Sequence, residues 1–455
     1  FGCSGLGETQ LVLAKRNHPA HAAMIPSGAG GAIGSLGGSH GYFGLFEGGV
    51  FQLASGVGWF STHGAKSPHR GRRVSFDVPA TLRRLPVADL VRAVRAEPTG
   101  YDDFLATPLG DPRWHSWGYL SDADRLDVPA LLINTWNDQT VEDTLRIAAH
   151  MSAGKSNADR HLRVLIAPGN HCAHEDSLPA GGEGEQRSLD DWYLAWFDYW
   201  LRDRGEGLEA LPRYRFYMIG ENRWHGSSRW PPENATPARW YLDSAGHANS
   251  REGDGVLSVT RPKDEISDSF VFDPLHPVPS RGGPVCCTGN PDDSVGAADQ
   301  AEVERREDVL VYTSAPLQRD LRIAGPVRAF LTVSSDAPDT DLVARLVDVS
   351  PGGLALNIQE GALRLRYRNG LPERLMRPGV RHSVTIELRS IAYRVLRGHR
   401  LRLDITSSSF PRLERNLNTG GDVHIETVPR KAINRLHHGP AVDSFVEFPV
   451  LPDAG

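Results

Sequence analysis

The chain has 455 residues, 40% hydrophobic and 23% charged, which is ordinary globular usage with apolar material for more than one core. Its 50 Lys+Arg against 56 Asp+Glu leave a formal charge of -6 and no basic block to hold a phosphate backbone, so nucleic acid is not an expected partner. No uninterrupted apolar run approaches the ~18 residues that cross a bilayer, and a membrane partner is not expected either.

The first residues, FGCSGLGETQLVLAKRNHP, read as a Gly-flanked Ser4 on a sharp turn that feeds a helix stopped at His18-Pro19. Ala22 to Ile25 read as a short buried strand. A Gly- and aromatic-rich stretch then opens an irregular or helical insertion, continuing through an amphipathic segment at 87–97. VPALLINTWNDQT is a Pro-initiated apolar run of the kind buried on both faces of a parallel sheet. Residues 140–152 read as a helix, and HLRVLIAPGNH repeats the strand pattern, completing a βαβ unit. SLDDWYLAWFDYWLRDRG is an amphipathic helix with Gly205 as its stop. From about Pro212 the period changes to two, predicting an all-β region built as a two-sheet sandwich in which Leu401, Leu403 and Ile405 face one core.

Ser4 sits between a strand end and a helix start with Gly2, Gly5 and Gly7 around it, a turn that strains a nucleophile and aims a helix N-terminus at a developing oxyanion. The motif reads G-x-S-x-x-G, and such strings are commonly plain turns. Asp138 and His171 each follow a buried-strand pattern, in loops at strand carboxyl ends where α/β sheets place their sites. The order Ser, Asp, His is that of an α/β-hydrolase triad. The bland alternative is an Asp capping the helix after 139 and a His in a solvated loop.

GCSGLGETQ resembles the G-x-S-Y-x-G-x-T-Q nucleophile elbow of the cocaine esterase and X-prolyl dipeptidyl peptidase family. VPALLINTWNDQTVEDTLR is similar to that family's acid-bearing segment, LIAPGNH to its histidine-bearing segment, and DSFVFDPLHPVPSRGG, VSSDAPDTDLVARLVDV and GHRLRLDITSSSFPRLERNLNTGG to its C-terminal jelly roll. The resemblance implies an α/β plus all-β chain: an α/β-hydrolase core at 1–25 and 121–210, a helical cap at 26–120, and a jelly-roll β-sandwich at 211–455. It implies Ser4, Asp138 and His171 as the triad, with the Gly5 backbone N–H in the oxyanion hole. Gly5 stands where the family has Tyr. The family also carries a long segment before the elbow, with early strands and an oxyanion Tyr, so the core is expected to be incomplete at its N-terminus and to expose apolar surface along VPALLINTW and RVLIAP.

Phe43, Phe46, Phe51, Trp59 and Phe60 are expected to divide between cap core and an acyl or alcohol pocket, with Trp136 as a further pocket wall. His174, Glu175 and Asp176 lack a second ligand cluster at a recognisable spacing, so no metal and no organic cofactor is expected. The four cysteines suit a reducing compartment or incidental buried thiols: Cys286 and Cys287 are adjacent, and a Cys3–Cys172 bridge is not expected because neighbours along a strand point to opposite faces. His437, His438 and the Arg-rich ALRLRYR segment read as polar strand faces. Glu47 is the lone carboxylate between 27 and 60, which favours an esterase acting on a small-molecule ester, or less readily an amide, over an X-Pro dipeptidyl peptidase. A non-catalytic binding protein is the reading from another class. A homo-oligomer is left open.

Overall fold

VPALLINTW and RVLIAP become the two central strands of a six-stranded sheet. A computed structural model describes residues 1–67, 76–153, 161–173, 188–204, 208, 211–290 and 293–452. The sheet runs β1 (Gly2–Cys3), β2 (Pro26–Ser27), β5 (Ala130–Thr135), β6 (Leu162–Ala167), β7 (Tyr214–Met218), β8 (Arg223–Ser227), parallel up to β7 and closed by an antiparallel β7–β8 hairpin. Two short strands in the insertion, β3 (Phe46–Glu47) and β4 (Val50–Phe51), form a separate hairpin. Every residue of β5 and β6 is buried. The expected exposure along them is therefore not found, because β2 covers one flank and β7 the other. The exposed apolar side chains around the first strand are instead Phe1, just before β1, and Leu6 and Leu13 on the helix after it.

Side chains of β5 alternate between two layers, Leu132 to one core and Leu131 and Ile133 to another. On the first face lie α1 (Gly5–Ala14) and, after the cap, α7 (Val141–Ser152). The cap contributes α2 (Leu53–His63), α3 (Val78–Leu82), α4 (Leu90–Val94), α5 (Tyr101–Leu105) and α6 (Arg113–Ser116), gathered on an aromatic cluster of Phe46, Phe51, Phe60, Tyr101, Phe104 and Trp114. On the second face lies α8 (Leu189–Arg202) with Trp192 and Trp196 buried. A capping box between Ser188 and Asp191 starts that helix. It stops at Asp203, which takes the left-handed conformation two residues before the expected Gly205.

The C-terminal region holds β9 (Thr236–Asp243), β10 (Val256–Ser258), β11 (Ile266–Phe272), β12 (Leu310–Thr313), β13 (Leu321–Ser335), β14 (Asp341–Val349), β15 (Ala355–Arg364), β16 (His382–Val395), β17 (Arg400–Thr406), β18 (Ala432–His438) and β19 (Phe445–Leu451). This is the β sandwich, antiparallel but for β10–β12. Its strands join into one hydrogen-bonded path because the 15-residue β13 exchanges partners among β16, β18 and β19 along its length. Leu401, Leu403 and Ile405 share one buried cluster. Two segments expected in this region, 214–218 from its alternation and 223–227 from the family resemblance, extend the α/β sheet instead. Likewise Pro26–Ser27, assigned to the cap, is a strand of that sheet. A period of two cannot say which sheet a strand joins.

In β14 and nearly all of β15 both faces are buried, and the polar strand faces read at Arg364, Arg366, His437 and His438 lie inside the protein. Arg364 meets Asp341 at 2.9 Å and Glu414 at 2.8 Å, and Arg366 meets Asp339 at 2.8 Å. His437 bonds Ser334, and His438 bonds Asp268. A second chain of charges reaches the cap: Arg412 lies 2.8 Å from both Glu47 Oε2 and Glu360, Arg389 lies 2.6 Å from Glu47, and Arg345 pairs with Glu360. Burial would raise the Glu47 carboxyl, but the two guanidiniums overcome it and hold it below its ordinary value. Replacing Glu47 by Gln leaves two buried cations short of a partner and is expected to cost about 3–5 kcal/mol. The denaturation midpoint of the full chain measures this, and a midpoint equal to wild type would show that the cap is not held through this pair.

Candidate functional site

Ser4, Asp138 and His171 each follow the carboxyl end of a parallel strand, β1, β5 and β6 respectively. Ser4 has φ 57° and ψ -130°, a strained conformation for a residue with a side chain. It is fixed there by its N–H on Ser27 O at 2.9 Å and by Gly7 and Glu8 N–H groups on its own carbonyl. The Gly5 N–H is the first of α1, where no intrahelical carbonyl exists to receive it.

Asp138 is fully buried and uses both oxygens. Oδ1 accepts from the Thr140 N–H at 2.7 Å and the Thr140 hydroxyl at 2.8 Å, holding the residue that immediately precedes α7. Oδ2 lies 2.6 Å from His171 Nδ1. Desolvation would raise the acid, yet the His171 charge and these hydrogen bonds keep it below its usual range. Desolvation pulls His171 down, and Asp138 more than reverses this, to about 9. His171 Nε2 is buried with no hydrogen-bond partner, so the Ser4 hydroxyl is not bonded to it in this structure. Both residues nevertheless line one small pocket with Glu8, Phe43, Trp59, Cys286 and Cys287, about 20 Å³ in volume, enough for roughly one water.

Of the expected pocket aromatics, Phe43 and Trp59 line this pocket and meet edge to face at 4.6 Å. Phe46 borders a neighbouring cleft of about 360 Å³ that shares Gln139 with it. Phe51 is fully buried in the cap cluster. Trp136 does not wall the pocket. It points behind β5, donating from its indole N–H to Tyr217 O at 2.7 Å and packing on Trp230. Glu47, committed to its two arginines, is not free for a substrate. His174, Glu175 and Asp176 lie outside the described residues.

Cys3 and Cys172 are joined by a disulfide, Cα–Cα 5.9 Å, which overturns the expectation against a bridge. The strand rule fails because neither residue lies within an extended run: Cys3 ends a two-residue strand and Cys172 takes φ 58° in a loop. The bridge ties the residue before Ser4 to the residue after His171.

Three pocket residues escaped the sequence reading. Glu8, one helical turn after Ser4, places its carboxyl against Gly31 and makes no side-chain hydrogen bond. It is partly accessible by surface area yet densely surrounded. Desolvation raises it to about 8, with the His171 charge opposing and Asp138 and Cys287 adding to the rise. Its i+4 spacing from Ser4 was the signal available. Cys286 and Cys287 arrive from the sandwich, on a loop whose backbone at Cys287 and Thr288 lies directly on Gly58 of α2. Nothing local in the sequence marks that long-range approach. With His171, they place one ligand atom each within 4.8 Å of one another, the one group among the described residues that could hold a metal ion.

Gly28 closes the floor of the site at φ +52°, and a Cβ there would lie 3.0 Å from Cys3 Sγ, 3.2 Å from Asp138 Oδ2 and 3.4 Å from His171 Cε1. Gly28→Ala is expected to cost roughly 1–2 kcal/mol in backbone strain and to slow labelling of Ser4 by an activated-serine probe by about 10- to 100-fold through displaced Asp138 and His171. Labelling at the wild-type rate would show that the floor yields without moving the pair.

Comparison with known proteins places the chain. Residues 1–173 match the model of the X-Pro dipeptidyl-peptidase S15 family, and 206–447 match the X-Pro dipeptidyl-peptidase C-terminal non-catalytic domain. The chain is 32% identical over 388 residues to the cocaine esterase of Rhodococcus sp. strain MB1 Bresler, covering 82% of this chain and 65% of that protein, so it spans less than two thirds of that relative. In fold it is similar to an α-amino acid ester hydrolase, TM-score 0.80 at 22% identity over 99% of this chain and 76% of the other. It is likewise similar to an aminopeptidase from the marine sediment archaeon Thaumarchaeota archaeon, TM-score 0.79 at 24% identity over 96% and 73%. With both modules matched in order, one of them over half its length, the chain belongs to the X-Pro dipeptidyl-peptidase (S15) family.

Proposed function

We propose that this chain carries the acyl-transfer site of a serine hydrolase that cleaves carboxylic esters, with Ser4 as nucleophile, His171 as general base and then acid, Asp138 as its orienting carboxylate, and the Gly5 N–H as an oxyanion donor. The observation that carries the reading is the 2.6 Å Asp138–His171 pair, which leaves a buried, unpartnered Nε2 in the same pocket as a strained serine at a helix N-terminus. His171 Nε2 takes the hydroxyl proton as Ser4 Oγ attacks the ester carbonyl, and returns it to the departing alkoxide. Asp138 keeps the second imidazole proton on Nδ1 and offsets the imidazolium charge. Water then repeats the sequence on the acyl-enzyme. The likeness to a cocaine esterase supports an ester substrate.

X-Pro dipeptide release is the second reading, favoured by the family and by one observation: Glu8 puts a carboxyl in the pocket. At about 8 that carboxyl is mostly protonated at neutral pH, a weak hold for a substrate ammonium, and this keeps the ester reading first. A non-catalytic role would leave Ser4 unreactive toward an activated-serine probe.

Two outcomes are expected. Ser4→Ala should lower aryl-ester hydrolysis by roughly 10⁴- to 10⁶-fold, and wild-type hydrolysis should exceed X-Pro dipeptide release; the reverse preference in steady-state kinetics would favour the peptidase. Because His171 must be neutral to accept the proton, kcat/KM for a neutral ester should climb with pH toward the value of about 9 rather than level off near the ordinary 6.5. A profile already flat above 6.5 would mean that Asp138 does not raise the base as its geometry implies.

A further inference from the structure

We infer that His171, Cys286 and Cys287 form a binding site for a thiophilic divalent cation of the Zn²⁺ class, and that an ion bound there removes His171 from use as a base. The ligand atoms fit the chemistry. Zn²⁺ takes imidazole nitrogen at about 2.0–2.1 Å and thiolate sulfur at about 2.3 Å, so two ligands of one ion lie at most ~4.6 Å apart, and the three atoms here already fall within 4.8 Å of one another. The Cys286 and Cys287 Sγ atoms, 2.8 Å apart, must separate by about 1 Å to ligate together, a change that side-chain rotation supplies.

The imidazole is prepared for the role. Its Nε2 is buried and unpartnered, and its Nδ1 is held by Asp138 at 2.6 Å. A carboxylate on the far nitrogen of a metal-binding histidine fixes the tautomer and strengthens the ligand. Three protein ligands leave a fourth position open, facing a pocket lined by Ser4 and Glu8. Both thiols are free, the other two cysteines being joined in the disulfide. On binding, the two thiols and any protonated His171 Nε2 release their protons to solvent, so that the ion meets two thiolates and a neutral imidazole. The lone pair on Nε2 that would take the Ser4 proton then belongs to the metal. The inhibitory half of this inference rests on Ser4 and His171 acting as proposed above, whereas the binding half does not.

The test uses the full chain, freed of metal by a chelator and titrated with Co²⁺ as the probe. A thiolate-to-cobalt charge-transfer band with tetrahedral ligand-field absorption is expected at one ion per chain, displaced by Zn²⁺ and absent with Mg²⁺. Cys286→Ala and Cys287→Ala should each weaken the band and the double variant should lose it. If the double variant does not fold, iodoacetamide on the wild-type protein, which offers only these two thiols, should abolish the band. In parallel, Zn²⁺ should suppress labelling of Ser4 by an activated-serine probe, and EDTA should restore it. No charge-transfer band in the wild type, or a band that survives loss or alkylation of both thiols, would overturn the site. A band without suppression of Ser4 labelling would overturn the inhibitory coupling. Failure of the hydrolase reading itself would show separately, as a Ser4 that never labels with or without metal.

Discussion

Glu47 between Arg389 and Arg412 is the constraint on which the pocket depends. The hairpin that carries it holds Phe46 and Phe51, and the residues just before it supply Phe43 and Leu45 to the site. Such a glycine-rich segment has little conformational preference of its own. A carboxylate withdrawn from water must be met by charge and hydrogen bonds or it costs several kcal/mol. Here the sandwich meets it with Arg389 of β16 and Arg412 of the loop after β17, and Arg412 passes the contact on to Glu360 and Arg345. Glu414 does the same one step along, accepting from the Phe51 N–H at 3.1 Å while paired with Arg364. The sandwich thus supplies the counter-surface that gives the cap one shape, and its Cys286–Cys287 loop enters the pocket that shape defines.

The opposite wall is held by other means. Ser4 and Cys172 both take left-handed backbone conformations, and such strain persists only where surrounding structure over-determines it. The Cys3–Cys172 bond joins those two turns, Gly28 fits beneath them without a side chain, and Asp138 bonds His171 on one side and Thr140, just before α7, on the other. Covalent, steric and ionic restraints converge from three strand ends. A mobile cap could not substitute for any of them, since all three sit on the parallel sheet.

Much of this was legible in the sequence, for physical reasons that can be named. Continuous apolar runs have few homes other than the middle of a parallel sheet, so β5 and β6, and with them the loops of Asp138 and His171, could be read directly. The capping box and aromatic spacing of α8 are local signals of the same strength. What escaped was non-local. Period two reports that residues face two sides, not that the second side is dry, and so 362–368 reads as a polar strand face with no sign that Arg364 and Arg366 are buried. It also cannot choose a sheet, which is why β7 reads from its alternation as a strand of the sandwich. Cys172 was judged by a strand rule at a position where the chain had already turned. Glu8, Cys286 and Cys287 reach the site by a helical turn and a long loop, and only coordinates bring those together.

The two carboxyls beside His171 show how fine the discrimination is. Asp138 and Glu8 both lose solvation, and both feel the same imidazolium. Burial alone would raise both. Asp138 receives the Thr140 N–H and hydroxyl and the His171 N–H, which bond the charged form and drive its pKa down; Glu8 receives no such bond and is left near 8. One acid is therefore kept ionised beside the base while the other stays protonated at neutral pH, in a pocket with room for about one water. The environment, not the residue type, assigns the roles, as it does wherever paired carboxyls are pushed to opposite sides of their ordinary values. The separation rests first on the His171 charge and hydrogen bond, which Asp138 meets directly at 2.6 Å, and then on the two bonds from Thr140, placed there because α7 begins where β5 ends.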